Sequence, residues 1–230
     1  MNIFYCPIIT TDQVTLDEAE SQHAVKVLRL VAGDRIILFD GQGGKYEGEI
    51  DQPHHKKCVV KITKKENTPK RPFHLHIAIA PTKMNDRMEW FLEKVTEIGI
   101  DEITPVICER SERKVTNHDR FEKVLIAAMK QSMNPWLPVL NDQVDLKLFL
   151  EKSPPGFIAH CMETKKTPLK KCDLHQEKIT ILIGPEGDFT EGEVVMASDK
   201  GWMPVSLGES RLRTETAGIV ACHTVNLLKE

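Results

Sequence analysis

A chain of 230 residues with 40% apolar side chains can form one large domain or two small ones, each with a real core. Its 31 Lys and Arg against 34 Asp and Glu give a formal net charge of -3, which argues against a generally basic nucleic-acid binder but leaves room for local basic patches. No apolar run approaches the ~18 residues of a membrane span, the N-terminus carries no signal-peptide pattern, and the six cysteines are scattered without a C-x-x-C pair; a cytoplasmic protein with reduced, buried thiols is expected.

In chain order, residues 1–66 read mainly as strands. Arg35–Asp40 and Lys45–Asp51 flank Gly41-Gln42-Gly43-Gly44 as a hairpin, and Cys58–Lys64 forms a further strand. A short helix lies between Glu20 and Leu30, so a small β-barrel with one helix fits this segment. Lys64–Pro72 is polar, holds two prolines and reads as the linker. The pattern then changes to alternating strands and helices. Phe73–Ala80 is a strand, and Asn85–Ile98 is an amphipathic helix with Met88, Phe91, Leu92, Val95 and Ile98 on one face, ended by Gly99. Glu102–Cys108 is a strand, shortened if Pro105 breaks it, and a helix follows over Asp119–Ser132. Gly156–Cys161, Ile179–Ile183 and Met203–Leu207 are strands. Thr190 and Glu193 read as a capping box for a helix to Lys200. Thr214 is placed to cap a last helix that presents Ala217, Val220, Ala221, Val225 and Leu228 to the core. This alternation predicts an α/β domain with a mainly parallel sheet.

Several motifs carry little chemistry. Gly41–Gly44 lies between strands, with no Gly-Lys-Ser/Thr after it, and reads as a turn rather than a phosphate loop. No G-x-G-x-x-G follows Phe73–Ala80, which excludes a dinucleotide site of the usual kind. His160, Cys161, Cys172 and His175 lack zinc-site spacing, and no metal site is expected. From His54 to Arg71 there are seven Lys or Arg and one acidic residue, Glu66. Such a run is a solvated surface or a local grip on RNA. Arg110, Arg113 and Lys114 form a smaller group.

Two segments near the C-terminus carry more. Ile179–Ile183 runs into Gly184-Pro185-Glu186-Gly187, and Val205-Ser206-Leu207 runs into Gly208, with Arg211-Leu212-Arg213-Thr214-Glu215-Thr216-Ala217 after it. Each is an apolar run, a glycine turn and a helix start. Glycine lets backbone approach a ligand closely, and a strand-to-helix turn points unpaired N–H groups outward. Singly, either is an ordinary loop; in tandem they predict a small molecule held mainly by main chain.

These two segments resemble those of the small-subunit ribosomal RNA uridine N3-methyltransferases, the RsmE family of the SPOUT methyltransferases. The resemblance extends over the whole chain. It includes His23 with Val27-Leu28-Arg29, then Lys83, Arg87, Glu89, Lys94, Glu97-Ile98-Gly99 and Pro105, and Gln131-Ser132. It implies a PUA-like β-barrel for RNA over residues 1–68 and a SPOUT α/β domain with a trefoil knot over 73–230. It also implies S-adenosylmethionine as cofactor, a homodimer, and one uridine of 16S rRNA in the small ribosomal subunit as substrate. Carried onto this chain, cofactor contacts fall on Gly184, Pro185, Glu186, Gly187, Leu207, Gly208, Leu212, Arg213, Thr214, Thr216 and Ala217. RNA contacts fall on Arg29, Lys56, Lys57, Lys83 and Arg87. Arg213 suits stabilisation of a uracil anion, and Glu215 suits removal of the N3 proton, with Glu186 as the alternative carboxylate or a brace of the cofactor loop. Two places depart from the family pattern. Asp188 stands where Gly is common, and Lys130 and Asn134 flank Gln131 where the family tends to Glu and Arg. Another SPOUT enzyme acting on a ribose hydroxyl or a different base, a noncatalytic RNA-binding factor, and a nucleotide-dependent α/β enzyme are the competing readings.

Overall fold

The structure, a computed structural model, describes residues 2–229. The chain divides into two compact units, Met1–Lys70 with Met129–Leu137, and Arg71–Ala128 with Pro138–Glu230.

The first unit holds β1 (Asn2–Tyr5), β2 (Gln13–Thr15), α1 (Glu18–Gln22), β3 (Arg35–Phe39), β4 (Gly44–Gln52) and β5 (Val59–Asn67). One sheet takes them in the order β1-β3-β4-β5-β2, antiparallel except for the β1–β3 pair. Alternation in β4 turns Tyr46 and Ile50 inward and Lys45, Glu47 and Glu49 toward solvent, the pattern of a half-buried strand. The inner face packs Phe4, Leu16, Ile36, Leu38 and Val60. The expected hairpin at Gly41–Gly44 is present, with Gly41 at φ 77 and Gly43 at φ 91. The expected helix between Glu20 and Leu30 is different. It starts at Glu18 with Asp17 as its cap, and after Gln22 it widens into a π-turn over His23–Val27 before Arg29 at φ 57.

The expected linker is also tighter than its composition suggests. β5 runs to Asn67, and Arg71 is fixed within the second unit, donating through Nε to Asp101 (3.0 Å) and through Nη1 to the Gly99 carbonyl (2.9 Å). The segment 129–137, predicted to belong with the α/β domain, joins the first unit. Met129 packs on Ile37 and Phe39, Gln42 bridges Trp136, and the Trp136 indole donates to the Thr68 carbonyl (3.2 Å). Lys130 pairs with the buried Glu20 at 2.5 Å, and the Asn134 side chain accepts from the Trp136 N–H. Both departures flanking Gln131 therefore have local structural roles.

The second unit holds β6 (His74–Ile79), α2 (Asn85–Ile98), β7 (Glu102–Ile107), α3 (His118–Gln131, whose last three residues join the first unit), β8 (Val139–Leu140), β9 (Val144–Asp145), α4 (Leu146–Lys152), β10 (Phe157–Ala159), β11 (Thr167–Pro168), β12 (Lys178–Ile183), α5 (Glu191–Asp199), β13 (Met203–Ser206) and α6 (Thr214–Lys229). The sheet order is β11-β13-β10-β12-β6-β7, with β8 and β9 pairing successive stretches of β7, and every pairing is parallel. β6 and β12 are buried from their second residue onward, His76 and Thr180 included, because helices cover both faces of the sheet. On one face α4 and α5 close over Ala78, Val106, Ile158, Leu182 and Trp202. On the other α6 lies against α2, where Gly218 meets Phe91. Pro105 leaves β7 at its full six residues, because it falls in the gap between the β8 and β9 pairings, where no ladder bond needs its N–H. The buried stripe of α6 is Gly218, Ala221, Cys222 and Val225; Leu228, expected inward, is 48% exposed.

Candidate active site

The carboxyl ends of three neighbouring strands, β12, β10 and β13, open into one cavity of about 410 Å³. This is where open parallel sheets place their ligands, and the volume suits a small molecule.

The first wall follows β12. At Gly184 an added Cβ would lie 2.9 Å from the Phe189 ring, so the position admits no side chain. The chain turns through Pro185, whose carbonyl accepts from the Asp188 N–H (2.9 Å). Asp188 sits at φ 62, the conformation that glycine adopts freely and Asp better than most residues. Its Oδ2 accepts from the Cys161 N–H at 2.8 Å, a bond glycine could not make. The predicted capping box is present, Thr190 and Glu193 reciprocally capping α5. Arg110 braces the loop from outside, donating to the carbonyls of Gly187 (3.0 Å) and Phe189 (3.3 Å). Glu186 accepts from the Lys83 N–H at 2.9 Å through Oε1, while its Oε2 is buried without a partner.

The second wall follows β13 through Leu207 and Gly208, the latter at φ 146, to the first turn of α6. Arg211 donates to the Glu186 carbonyl (3.3 Å), and the Thr214 hydroxyl donates to the Gly184 carbonyl (3.0 Å). The two glycine loops are thereby bonded to each other. Thr214 is the first residue of α6 and spends its hydroxyl on this link, so it is not the predicted cap.

Of the predicted cofactor residues, Gly184, Pro185, Glu186, Leu207, Gly208, Leu212, Arg213, Thr214 and Ala217 line the cavity; Gly187 and Thr216 do not. Arg213 is exposed at the rim. Glu215 is away from it: its carboxylate is buried, with Oε2 unpartnered and Oε1 3.9 Å from Nε of Arg87. The structure therefore does not bring Glu215 and Arg213 together on the cavity wall.

A third wall was not predicted. It is the end of β10, Ala159-His160-Cys161, with Lys166. The Lys166 ammonium donates to the carbonyls of His160 (3.0 Å) and Met162 (2.6 Å). Burial, then Lys166, pull the His160 pKa below its ordinary value against an opposing push from Asp188. The sequence signal was available, since His160 lies at the carboxyl end of the strand predicted over Gly156–Cys161.

Among the predicted RNA residues, Arg29, Lys56 and Lys57 are exposed in the first unit, with Lys56 3.5 Å from Glu18. In the second unit Lys83 pairs with Glu112 (2.7 Å), and Arg113 donates to the Lys83 carbonyl (2.7 Å). Lys83 and Arg113 thus also hold the backbone that supports Glu186.

Residues 69–226 match the family model described as RNA methyltransferase domain, and residues 16–63 match RNA methyltransferase PUA domain. A Synechocystis protein named ribosomal RNA small subunit methyltransferase E is 31% identical over 94% of this chain and 74% of its own. A solved structure from Porphyromonas gingivalis, described as a probable rRNA-methyltransferase, is 40% identical with a TM-score of 0.91, covering 100% of this chain and 98% of that one. A ribosomal RNA small subunit methyltransferase E from Neisseria gonorrhoeae, solved bound to S-adenosyl methionine, is 28% identical with a TM-score of 0.87, covering 96% of this chain and 95% of that one. Over both units and through the loops that wall the cavity, the chain belongs to the ribosomal RNA small subunit methyltransferase E family.

Proposed function

We propose that this protein is an S-adenosylmethionine-dependent methyltransferase of small-subunit ribosomal RNA that methylates N3 of one uridine in 16S rRNA. The observation that carries this reading is the cavity built from the two glycine loops and locked by the Thr214–Gly184 bond. The residues present fit the cofactor. The walls offer close backbone at Gly184 and Gly208, an apolar lining from Ile183, Val205, Leu207 and Leu212, and buried polar atoms on Glu186 and His160 that have no partner among the described residues. Gly184–Glu186, Leu207, Gly208 and Leu212–Thr214 would hold it, with Ala217 beneath; Gly187 and Thr216 would act through the loop and helix that carry them. When bound, S-adenosylmethionine supplies a methyl group on a sulfonium that needs no further activation.

The chain's own work lies on the acceptor. Uracil N3 is protonated at neutral pH, with a pKa roughly two to three units above 7, so forming the anion costs about 3–4 kcal/mol. Arg213, at the rim, is the cation placed to stabilise that anion. Glu215, buried beside Arg87, is better placed to orient Arg87 toward RNA than to take the proton. N3 lies on the Watson–Crick edge, so the target base must be unpaired or flipped out. RNA contacts are supplied by Arg29, Lys56 and Lys57 in the first unit and, separately, by Lys83 and Arg87 in the second. We place the protein in the cytoplasm, as a homodimer whose second copy covers the exposed Leu227 and Leu228 of α6, and we assign the knot to the region of the two glycine loops.

The test is to incubate the protein and labelled S-adenosylmethionine with small subunits from cells lacking it, then map the label by nucleoside mass spectrometry. Label as 3-methyluridine at one site is expected. Label on a ribose or another base would overturn the N3 assignment. No label despite cofactor binding would move the target off the small subunit. Light scattering checks the homodimer, which a monomer's mass would exclude.

A further inference from the structure

His160 is a polar side chain that the fold buries and leaves unsatisfied. It is only 7% exposed, it lines the cavity, and neither ring nitrogen has a hydrogen-bond partner among the described residues. An imidazole buried this way normally finds partners inside the protein. Its backbone is held on both sides. Lys166 gathers the His160 and Met162 carbonyls, and Asp188 takes the next residue's N–H. Two charged side chains are thus committed to keeping this short segment in place.

We infer that His160 is a recognition residue for the nucleoside half of the cofactor, pairing a ring nitrogen with an uncharged hydrogen-bonding group, a ribose hydroxyl or the adenine rim. The inference rests on the cofactor reading given above. The chemistry of the ring selects the nucleoside. Burial and the Lys166 ammonium keep the imidazole neutral, and a neutral imidazole offers one donor and one acceptor. Hydroxyls and adenine present that same pair. The amino, carboxylate and sulfonium groups of the other half carry charge, and the cavity has charged side chains for them in Glu186, Glu209 and Arg211.

The test compares wild type with His160→Leu and His160→Asn, using calorimetry with S-adenosylmethionine and with 5′-methylthioadenosine, which keeps the nucleoside and lacks the amino-acid end. Thermal unfolding without ligand is read alongside. His160→Leu is expected to lose about tenfold in affinity, the worth of a neutral hydrogen bond or two, and to lose the same factor for both ligands. His160→Asn, which keeps a donor and an acceptor, is expected to recover part of it. The ligand-free melting temperature of His160→Leu should stay level or rise, because an unpaired buried polar group has been replaced by an apolar one. Equal affinity for wild type and His160→Leu would overturn the inference, as would a loss confined to S-adenosylmethionine, which would put His160 at the amino-acid end. A lower ligand-free melting temperature with unchanged affinity would make its role structural. Failure of the wild type to bind either ligand would instead remove the cofactor reading itself.

Discussion

Arg213 and Asp188 show how single residues divide the labour of the site. Arg213 lines the rim yet is exposed, so its removal leaves the backbone walls intact. Arg213→Ala is expected to lower turnover by about 100-fold or more, the usual cost of deleting a positioned charge-stabilising group. Cofactor affinity should stay within about threefold. Initial rates on small subunits and calorimetry measure the two; loss of binding would make Arg213 a cofactor anchor and vacate its chemical role. Asp188 holds φ 62 and ties the Cys161 N–H. Alanine there suffers the left-handed conformation, about 1–2 kcal/mol, and loses the bond, about 1 kcal/mol. Glycine loses the bond and adds chain entropy, but relieves the strain. Urea unfolding should therefore rank Asp188→Ala as the more destabilised, by about 1–2 kcal/mol relative to wild type, with Asp188→Gly nearer wild type. The reverse order would mean that backbone strain at 188 is not what the side chain opposes.

At the scale of elements, the cavity depends on how closely α6 lies on α2. A Cβ at Gly218 would come within 2.5 Å of the Phe91 ring and 3.0 Å of Ile79. Phe91 is fully buried and has no room to yield. Gly218→Ala gains up to about 1 kcal/mol of helix propensity but overpacks the contact at about 1–3 kcal/mol, so a net loss of about 1 kcal/mol is expected. The displaced helix carries Thr214 and Ala217 and follows directly on Arg213, so cofactor affinity should fall with stability. Calorimetry showing wild-type affinity in a destabilised Gly218→Ala would break that link between packing and site. The sequence predicts α2 residue for residue, because its apolar positions repeat over four turns and Gly99 stops it. It predicts α5 through one capping box. Gly218 was invisible for a simple reason: a glycine adds nothing to an apolar periodicity, and its meaning depends on a ring in another helix. α4 was missed because seven residues make only two turns, too few to show a period. The sole local sign was Asp145, whose side chain caps Lys147. The two glycine loops were legible as a pair; their bond through Thr214 and the third wall at His160 were not, since both join distant parts of the chain.

For the whole molecule, the change from a mostly β segment to alternating strands and helices announced two architectures, and both are present. The return of Met129–Leu137 to the first unit had no local signal, because its partners Phe39, Gly41 and Thr68 lie far back in sequence. Charge follows the same logic. The basic run from His54 to Arg71 looked uniform, yet the fold uses it unevenly. Lys64 is paired with Glu66 and Glu47, Lys70 lies over the Trp136 ring, and Arg71 is bound to Asp101. Lys56 and Lys57 remain on an exposed loop, Lys56 only loosely near Glu18. A protein of net charge -3 must hold RNA through such local cations, and each phosphate contact releases counterions, so affinity falls with salt in proportion to the contacts made. The double variant Lys56→Ala, Lys57→Ala is expected to weaken binding to small subunits and to flatten the slope of log affinity against log salt by about one to two units. Its KM should rise while kcat is held, because neither residue touches the cavity. Lys64→Ala, whose ammonium is already neutralised by carboxylates, should leave the slope unchanged. Filter binding between low and physiological salt reads both variants; an unaltered slope in the double variant, or an equal loss in Lys64→Ala, would take the RNA grip away from this loop.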